Sequence, residues 1–323
     1  MHAGTVRSCV DSISSLRRRT DMVLHRGSIS QDQTLHSLDR RRRFTPRSPS
    51  DQPIHVSQLS PYRRCAQLSW DIRCLDRNPH LRSREFLLSA RQARRMYPMR
   101  LLRYWFIHHF LRIEQERRKG PLSICEIGID SGQMRKFMQS VAETPGIPAV
   151  PCSSWVGVDR VVQHDALASL GYTSCRQSDI EHSEEWVSSD ADAFILLHVM
   201  EHLYEPERVF GKIASRMKPG SVMMGGSPSV PHWCVRLREP RLRANRVTGS
   251  HRSAFSPKRL KDIARQNGLQ LDFLAGAFLV RASGFLLEDR AWWLRFNLLF
   301  GALFPSWPGE TYWVMRKPSA SSA

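Results

Sequence analysis

Lysine is missing from the first 100 residues, no two cysteines form a C-x-x-C pair, and no uncharged stretch is long enough to span a bilayer. Arginine is not missing: residues 1–100 hold 20 arginines against 8 acids, which places +12 of the formal +18 charge there. Segments such as "SLRRRTD" and "LDRRRRFTPRSPSDQP" mix arginine with Ser, Pro, Asp and Gln and show no apolar period. Such sequence buries too little surface to offset the entropy lost on ordering, so residues 1–84 are expected to form a basic, disordered arm. The arm reads either as a segment seeking an anionic partner, nucleic acid or phospholipid, or as solvated sequence ahead of a translation start at Met96 or Met99. Asp11, Asp21, Asp32 and Asp39 speak against a transit peptide. The seven cysteines, at 9, 65, 74, 125, 152, 175 and 234, are odd in number and form no His/Cys cluster at metal spacing. That excludes a disulfide framework and fits reduced thiols in a cytoplasm. The uncharged run Phe296 to Pro308 of the apolar C-terminal region falls short of the ~20 residues of a membrane span. No apolar core of a secretory signal exists either, so the chain is expected to be cytoplasmic.

What is present begins near residue 85. "MRLLRYWFIHHFLRIEQERRKG" sets Leu102, Trp105, Phe106, Phe110 and Ile113 at helical spacing, which predicts a leading amphipathic helix within 85–119, stopped by Gly120-Pro121. Then strands and helices alternate. "LSICEI", "SWVGVD", "YTSCRQ", "DAFILLHV", "KPGSVMMGG", "LQLDFLAGAF" and "ETYWVMRK" read as strands, and "SGQMRKFMQSVAE", "HDALASL", "EPERVFGKIASRM" and "SPKRLKDIARQNG" as helices. In the last helix Ser256 caps, Pro257 opens the first turn and Gly268 closes. The alternation predicts a Rossmann-like, doubly wound α/β domain over 120–318, with a mostly parallel seven-stranded sheet and helices on both faces. Inserts at 229–255 and 280–308 interrupt it, and connections of that length usually carry function.

In a doubly wound sheet, ligands bind beyond the carboxyl ends of the strands, where the strand order reverses. The first strand ends in "CEIGIDSGQ". A dinucleotide corner needs G-x-G-x-x-G, but Asp130 stands in place of the second glycine and would repel a pyrophosphate. The phosphate loop G-x-x-x-x-G-K-[ST] is absent as well. Glu126 and Asp130 instead offer negative charge and acceptors to a cationic ligand.

The E-x-G-x-x-x-G of Glu126, Gly128 and Gly132 resembles the first motif of class I S-adenosylmethionine-dependent methyltransferases. Later segments follow in the family's order. "WVGVDR" ends in Asp159, where the family keeps the carboxylate that accepts from both ribose hydroxyls. "CRQSDIE" puts Asp179 and Ile180 at the adenine contacts. "DAFILLHVMEHLYEPERVFGKIASRMKPGSV" is similar to the small-molecule branch that includes the quinone-biosynthesis methyltransferases, with Ser221 in place of the second glycine of its K-P-G-G turn. Asp159 also reads as a helix cap, Asp179 as a turn residue, and Glu126 as a mere loop support.

The resemblance implies S-adenosyl-L-methionine as cofactor, held by Glu126, Gly128, Asp130, Gly132, Asp159, Asp179, Ile180 and His198. A proton acceptor for a hydroxyl substrate is expected at His202 or, second, His251. His198 and His202 lack the intervening glutamate of zinc peptidases, since Val199 stands there, so no metal is expected. The [DNS]-P-P-[FYW] loop of amine-methylating enzymes is absent, which favours an oxygen on a small, lipid-like or glycan acceptor. A binding module without catalysis, or an RNA methyltransferase recruited by the basic arm, are the rival readings. "AWWLRFNLLFGALFPSW" is expected to form an amphipathic cap, packed as core, lining the acceptor pocket, or resting on a membrane through residues 290–307.

Overall fold

The computed structural model describes residues 78–319, apart from 184–185, 187–188, 246, 248 and 281–283. These residues belong to the unit Val56–Ala323; the unit Met1–His55, and with it most of the expected basic arm, lies outside the described residues.

The seven predicted strands are all present: β1 Leu122–Ile127, β2 Cys152–Asp159, β3 Ser174–Gln177, β4 Ala193–Leu197, β5 Val222–Ser229, β6 Gln270–Gly276 and β7 Gly309–Arg316. They form one sheet in the order β3-β2-β1-β4-β5-β7-β6. The pairs β2/β3, β1/β2, β1/β4 and β4/β5 are parallel, whereas β7 is antiparallel to both β5 and β6. From β1 the chain builds outward through β2 and β3, then returns to place β4 on β1's other side. The order therefore reverses between β1 and β4, and their carboxyl ends form the switch point.

Helices α1 Leu102–Arg118, α2 Gln133–Ala142, α3 His164–Ala168, α4 Pro206–Arg216, α5 His232–Ala244, α6 Pro257–Gln266 and α7 Ala291–Leu303 complete the elements that matter here. Strand alternation divides the core between the two faces of the sheet. Ile124, Ile195, Tyr312 and Val314 join Phe106, Phe137 and Trp155 in one cluster. Cys125, Phe194, Trp313 and Met315 join Phe210, Ile213 and Ile263 in the other. Phe106 of α1 stacks on Tyr312 at 4.0 Å between ring centroids. Helix α6 begins as read, with Ser256 Oγ accepting the Arg259 N–H at 3.2 Å.

Two expectations need correction. The arm does not extend to residue 84: Pro79–Arg82 form a 3₁₀ turn, Leu81 is fully buried, and Asn78 donates to Ser140 O and Thr144 Oγ1 of the α2 region. A start at Met96 or Met99 would also strip Leu81, Phe86 and Leu88 from the core. Nor is α1 amphipathic in the usual sense, because all residues from Leu102 to His108 are buried, Arg103 among them. It lies against the sheet under the N-terminal turns, so its polar residues find partners inside. Each insert carries a helix: 229–255 contains α5, and 280–308 contains α7, the segment expected to form a cap.

Candidate functional site

The corner after β1 is held by backbone geometry that glycine permits at Gly128 (φ 78°) and Gly132 (φ 72°). Asp130 between them also sits in the left-handed region, at φ 45°, as does His198 at the end of β4, at φ 57°. Left-handed non-glycine residues are uncommon, and here both flank the switch point. A Cβ on Gly128 would collide with Val199 of the β4 corner, so this glycine lets the two strand ends close on one another. Gly132 has a different duty. A Cβ there would strike Leu170 and Leu167, so it seats the start of α2 against the α3 region.

Two cavities meet at these corners. One, of about 390 Å³, is lined by Glu126, Gly128, Asp130, His198, Glu201, His202 and His251 together with Arg100, Arg103 and Tyr104 of the leading segment. The other, of about 590 Å³, is lined by Gly128, Asp130, Asp159, Asp179, Ile180, His198, Val199 and His202. Every residue singled out from the sequence lines one or both, except Gly132. Gly128, Asp130, His198 and His202 line both, and so mark the junction.

On the larger cavity, Asp159 ties the corners together. Its Oδ2 accepts the Asp130 N–H at 2.8 Å and its Oδ1 accepts the Val161 N–H at 3.3 Å. Each carboxylate oxygen has two acceptor sites, so both keep capacity for a further donor. Asp179 caps its own turn, accepting the Glu181 N–H at 3.0 Å. Burial would raise its pKa, but that hydrogen bond and His182 at 3.3 Å hold it below the usual carboxylate range. Ile180, 8% exposed, packs with Val158 and Leu203 as an apolar floor. The loop is pinned by two residues that sequence reasoning missed. Lys212 Nζ donates to the carbonyls of Glu181 and Ser183, and Glu181 Oε1 accepts the Tyr204 and Glu205 N–H groups.

On the smaller cavity, Glu126 is buried and its Oε2 accepts from Trp155 Nε1 at 2.8 Å and Tyr172 Oη at 2.9 Å. Burial pushes its pKa up to about 7, and the two hydrogen bonds hold it from rising further. Burial also raises the Tyr172 phenol, which therefore stays a donor.

The opposite wall is an ionic chain that no motif announced. Arg103 of α1 pairs with Glu310 of β7 at 2.9 Å, and Tyr312 donates to Glu310 Oε2 at 2.5 Å. His198 stands 3.6 Å from Glu310 through Nε2 and 3.0 Å from Glu201 through Nδ1. Burial would lower the His198 pKa, but Glu310 and the Glu201 bond outweigh it, so the imidazole is held above its ordinary value. Burial likewise works against the Glu201 carboxylate, and His198 more than offsets it. The Glu201 carbonyl accepts the N–H groups of Arg252 and Ser253, which draws the first insert over the site.

His202 and His251 meet at the mouth, ring centroids 4.9 Å apart, and His202 Nδ1 lies 3.4 Å from the Ser250 carbonyl. In the tautomer that donates there through Nδ1, a neutral ring leaves Nε2 as the acceptor. Glu201, His202 and His251 also bring one ligand atom each within 4.8 Å of the others. This donor trio differs from the His198/His202 pair weighed from spacing, because His251 is supplied by a distant insert. Among the described residues no helix is long and apolar enough to cross a membrane.

Residues 91–272 match the family described as "Methyltransferase domain". No curated protein sequence matches the chain. An S-adenosylmethionine dependent methyltransferase from Mesorhizobium loti is 12% identical, with 61% of this chain and 91% of that one covered and a TM-score of 0.41. A SAM dependent methyltransferase from Archaeoglobus fulgidus is 18% identical, covering 66% and 94%, with a TM-score of 0.39. The plantazolicin methyltransferase BamL, in complex with a triazolic desmethylPZN analog and SAH, is 16% identical, covering 67% and 85%, with a TM-score of 0.43.

Proposed function

Because the chain belongs to the methyltransferase-domain family, we propose that it is an S-adenosylmethionine-dependent enzyme methylating an oxygen of a small-molecule, lipid-like or glycan acceptor. The observation that carries this reading is the shared lining of the two cavities by Gly128, Asp130, His198 and His202. A methyl donor and an acceptor held on either side of that lining would meet at it. The residues suit the cofactor: a strand-end carboxylate with spare acceptor capacity at Asp159, an apolar floor at Ile180, and two acids, Glu126 and Asp130, at the corner. Asp159 would take the ribose hydroxyls, Asp179 and Ile180 the adenine, and Glu126 with Asp130 the ammonium end. When bound, the cofactor supplies a methyl carbon made electrophilic by its sulfonium.

The chain's own work is positional and acid–base. Holding nucleophile and methyl carbon in line at about 3–3.5 Å supplies much of the rate. His202 Nε2 accepts the acceptor's hydroxyl proton, and His251 is the second choice for that duty. The buried chain from Arg103 to Glu201 holds His198 and the 200–202 turn rigid beneath them. The H-V-M-E-H corner and the absence of an amine-gripping loop support the small-molecule branch akin to the quinone-biosynthesis enzymes.

The test is methyl transfer from labelled cofactor in cell extract, followed by partition of the label. Label in the organic or polysaccharide fraction, reduced about 10²–10⁴-fold by His202→Ala, is the expected result. Label in RNA would overturn the acceptor class, and calorimetric cofactor binding without any transfer would leave only a binding module.

A further inference from the structure

Apart from Arg295 and Asn297, helix α7 is apolar around its whole circumference, yet only one side is covered. Its inner face is fixed: Trp293, Leu294, Leu298 and Gly301 are buried, and Asn297 Oδ1 accepts the Leu279 N–H at 3.0 Å. Gly301 approaches Gly276 of β6 so closely that a Cβ would collide with the strand backbone. The outer stripe is thereby fixed outward. Trp292, Phe296, Leu299 and Leu303, at i, i+4, i+7 and i+11, are between 41% and 65% exposed. Phe304 and Trp307 extend it, and an apolar groove of about 620 Å³ joins Leu303–Pro308 to Pro231, the residue before α5. Two residues on, α5 exposes Trp233 and Leu237.

Contiguous apolar surface of this extent marks an interaction site. We propose that it docks on an anionic phospholipid bilayer, with the stripe of α7 among the upper acyl chains and the arginines at the headgroups. Charge selects this occupant. Arg290 and Arg295 flank the stripe, and Arg236, Arg238, Arg241 and Arg243 stand exposed on α5. The nearby acids Asp289 and Glu239 are taken by Arg95 at 2.8 Å and Arg259 at 2.5 Å. A second copy of the chain would bring the same arginines, and residues 1–77 carry an arginine excess of their own, so either would be repelled. Phosphate headgroups over acyl chains complement both the charge and the apolar stripe, and tryptophan favours that boundary. This docking does not depend on the methyl-transfer reading.

The test is co-sedimentation of the full chain with vesicles of phosphatidylcholine alone or with phosphatidylglycerol added. Binding to the anionic vesicles, weakened by salt and accompanied by a blue shift of tryptophan emission, is expected. Phe296→Ser/Leu299→Ser/Leu303→Ser should lower partition by about tenfold or more without changing the thermal unfolding midpoint. Arg236→Gln/Arg238→Gln/Arg241→Gln, away from any packed face, should lower it through charge alone. Undiminished binding by the serine variant would show that the N-terminal arm suffices, and would overturn the proposal. So would indifference of the wild type to anionic vesicles, or a self-associated species that the serine variant abolishes.

Discussion

The two cavities at the switch point are walled in different ways. The larger is made by strand-end loops whose backbone amides and short acids satisfy one another within a few residues or across adjacent strands, as Asp130 and Asp159 do. The smaller is walled by long-range ion pairs: Arg103 and Glu310 are separated by 207 residues, and His198 and Glu201 lie between them in the sequence. The first kind of wall tolerates solvent and keeps open valences for a ligand. The second is made of buried charges, Arg103 9% and Glu310 3% exposed, and depends on every member being present, because an unpaired buried charge is far more costly than an unpaired surface one.

Breaking the buried wall should give the largest effect. Arg103→Met leaves Glu310 without its guanidinium and should cost about 3–5 kcal/mol of stability, read from the denaturant midpoint. A loss below about 1 kcal/mol would mean water reaches the pair and the contrast is overstated. Next, Asp159→Ala should weaken cofactor binding by about 1.5–3 kcal/mol, the scale of a charge-assisted hydrogen bond. Calorimetry and unfolding together check it, since the open cavity should lose affinity more than stability.

Glu126 lies between the two cases and sharpens the comparison through pH. Its pKa is raised from 4.5 to about 7 by burial, so the folded state favours the protonated acid. Its contribution to stability is then complete below pH 4.5 and is lost as pH rises toward 7, by at most about 1.4 kcal/mol per pH unit. Binding of a cation runs the other way and should strengthen through the same window. Glu126→Gln should flatten both slopes; a slope unchanged in that variant would reassign the titration. Gly132→Ala should have the smallest effect on cofactor affinity, because Gly132 lines neither cavity, while costing stability about 1–2 kcal/mol from the left-handed backbone and about 1–3 kcal/mol more where its Cβ strikes Leu167 and Leu170.

The same contrast explains what was legible in the sequence. The order of strands and helices was, since parallel strands buried on both faces read as apolar runs and helices carry their caps locally, as Ser256 and Pro257 do. So were the acids of the larger cavity, which sit at strand ends with short-range signatures. Glu126's partners Trp155 and Tyr172 were not, nor the Arg103–Glu310 pair, because a charge looks the same in sequence whether it is solvated or buried. Helix α1 shows the cost: its apolar spacing suggested one covered face, whereas Arg103 and Glu114 are buried with it. Glu114 is held by Arg316 at 2.6 Å, a partner 202 residues away. His251 was named from its place in the first insert, and the fold explains how that insert brings it beside His202.

Strand β7 carries a consequence for biosynthesis. Because it runs opposite to its neighbours, its first residues, not its last, reach the edge of the sheet where the two cavities lie, which is how Glu310 arrives beside His198. It also wedges between β5 and β6, leaving β6 without any strand neighbour until it arrives. On the ribosome, the half of the molecule built from β1 to β4 emerges long before this final strand. A nascent chain would therefore hold the Asp159 and Asp179 corners of the larger cavity nearly assembled while the ionic wall of the smaller one stays unfinished, its histidine and arginine awaiting a carboxylate not yet translated.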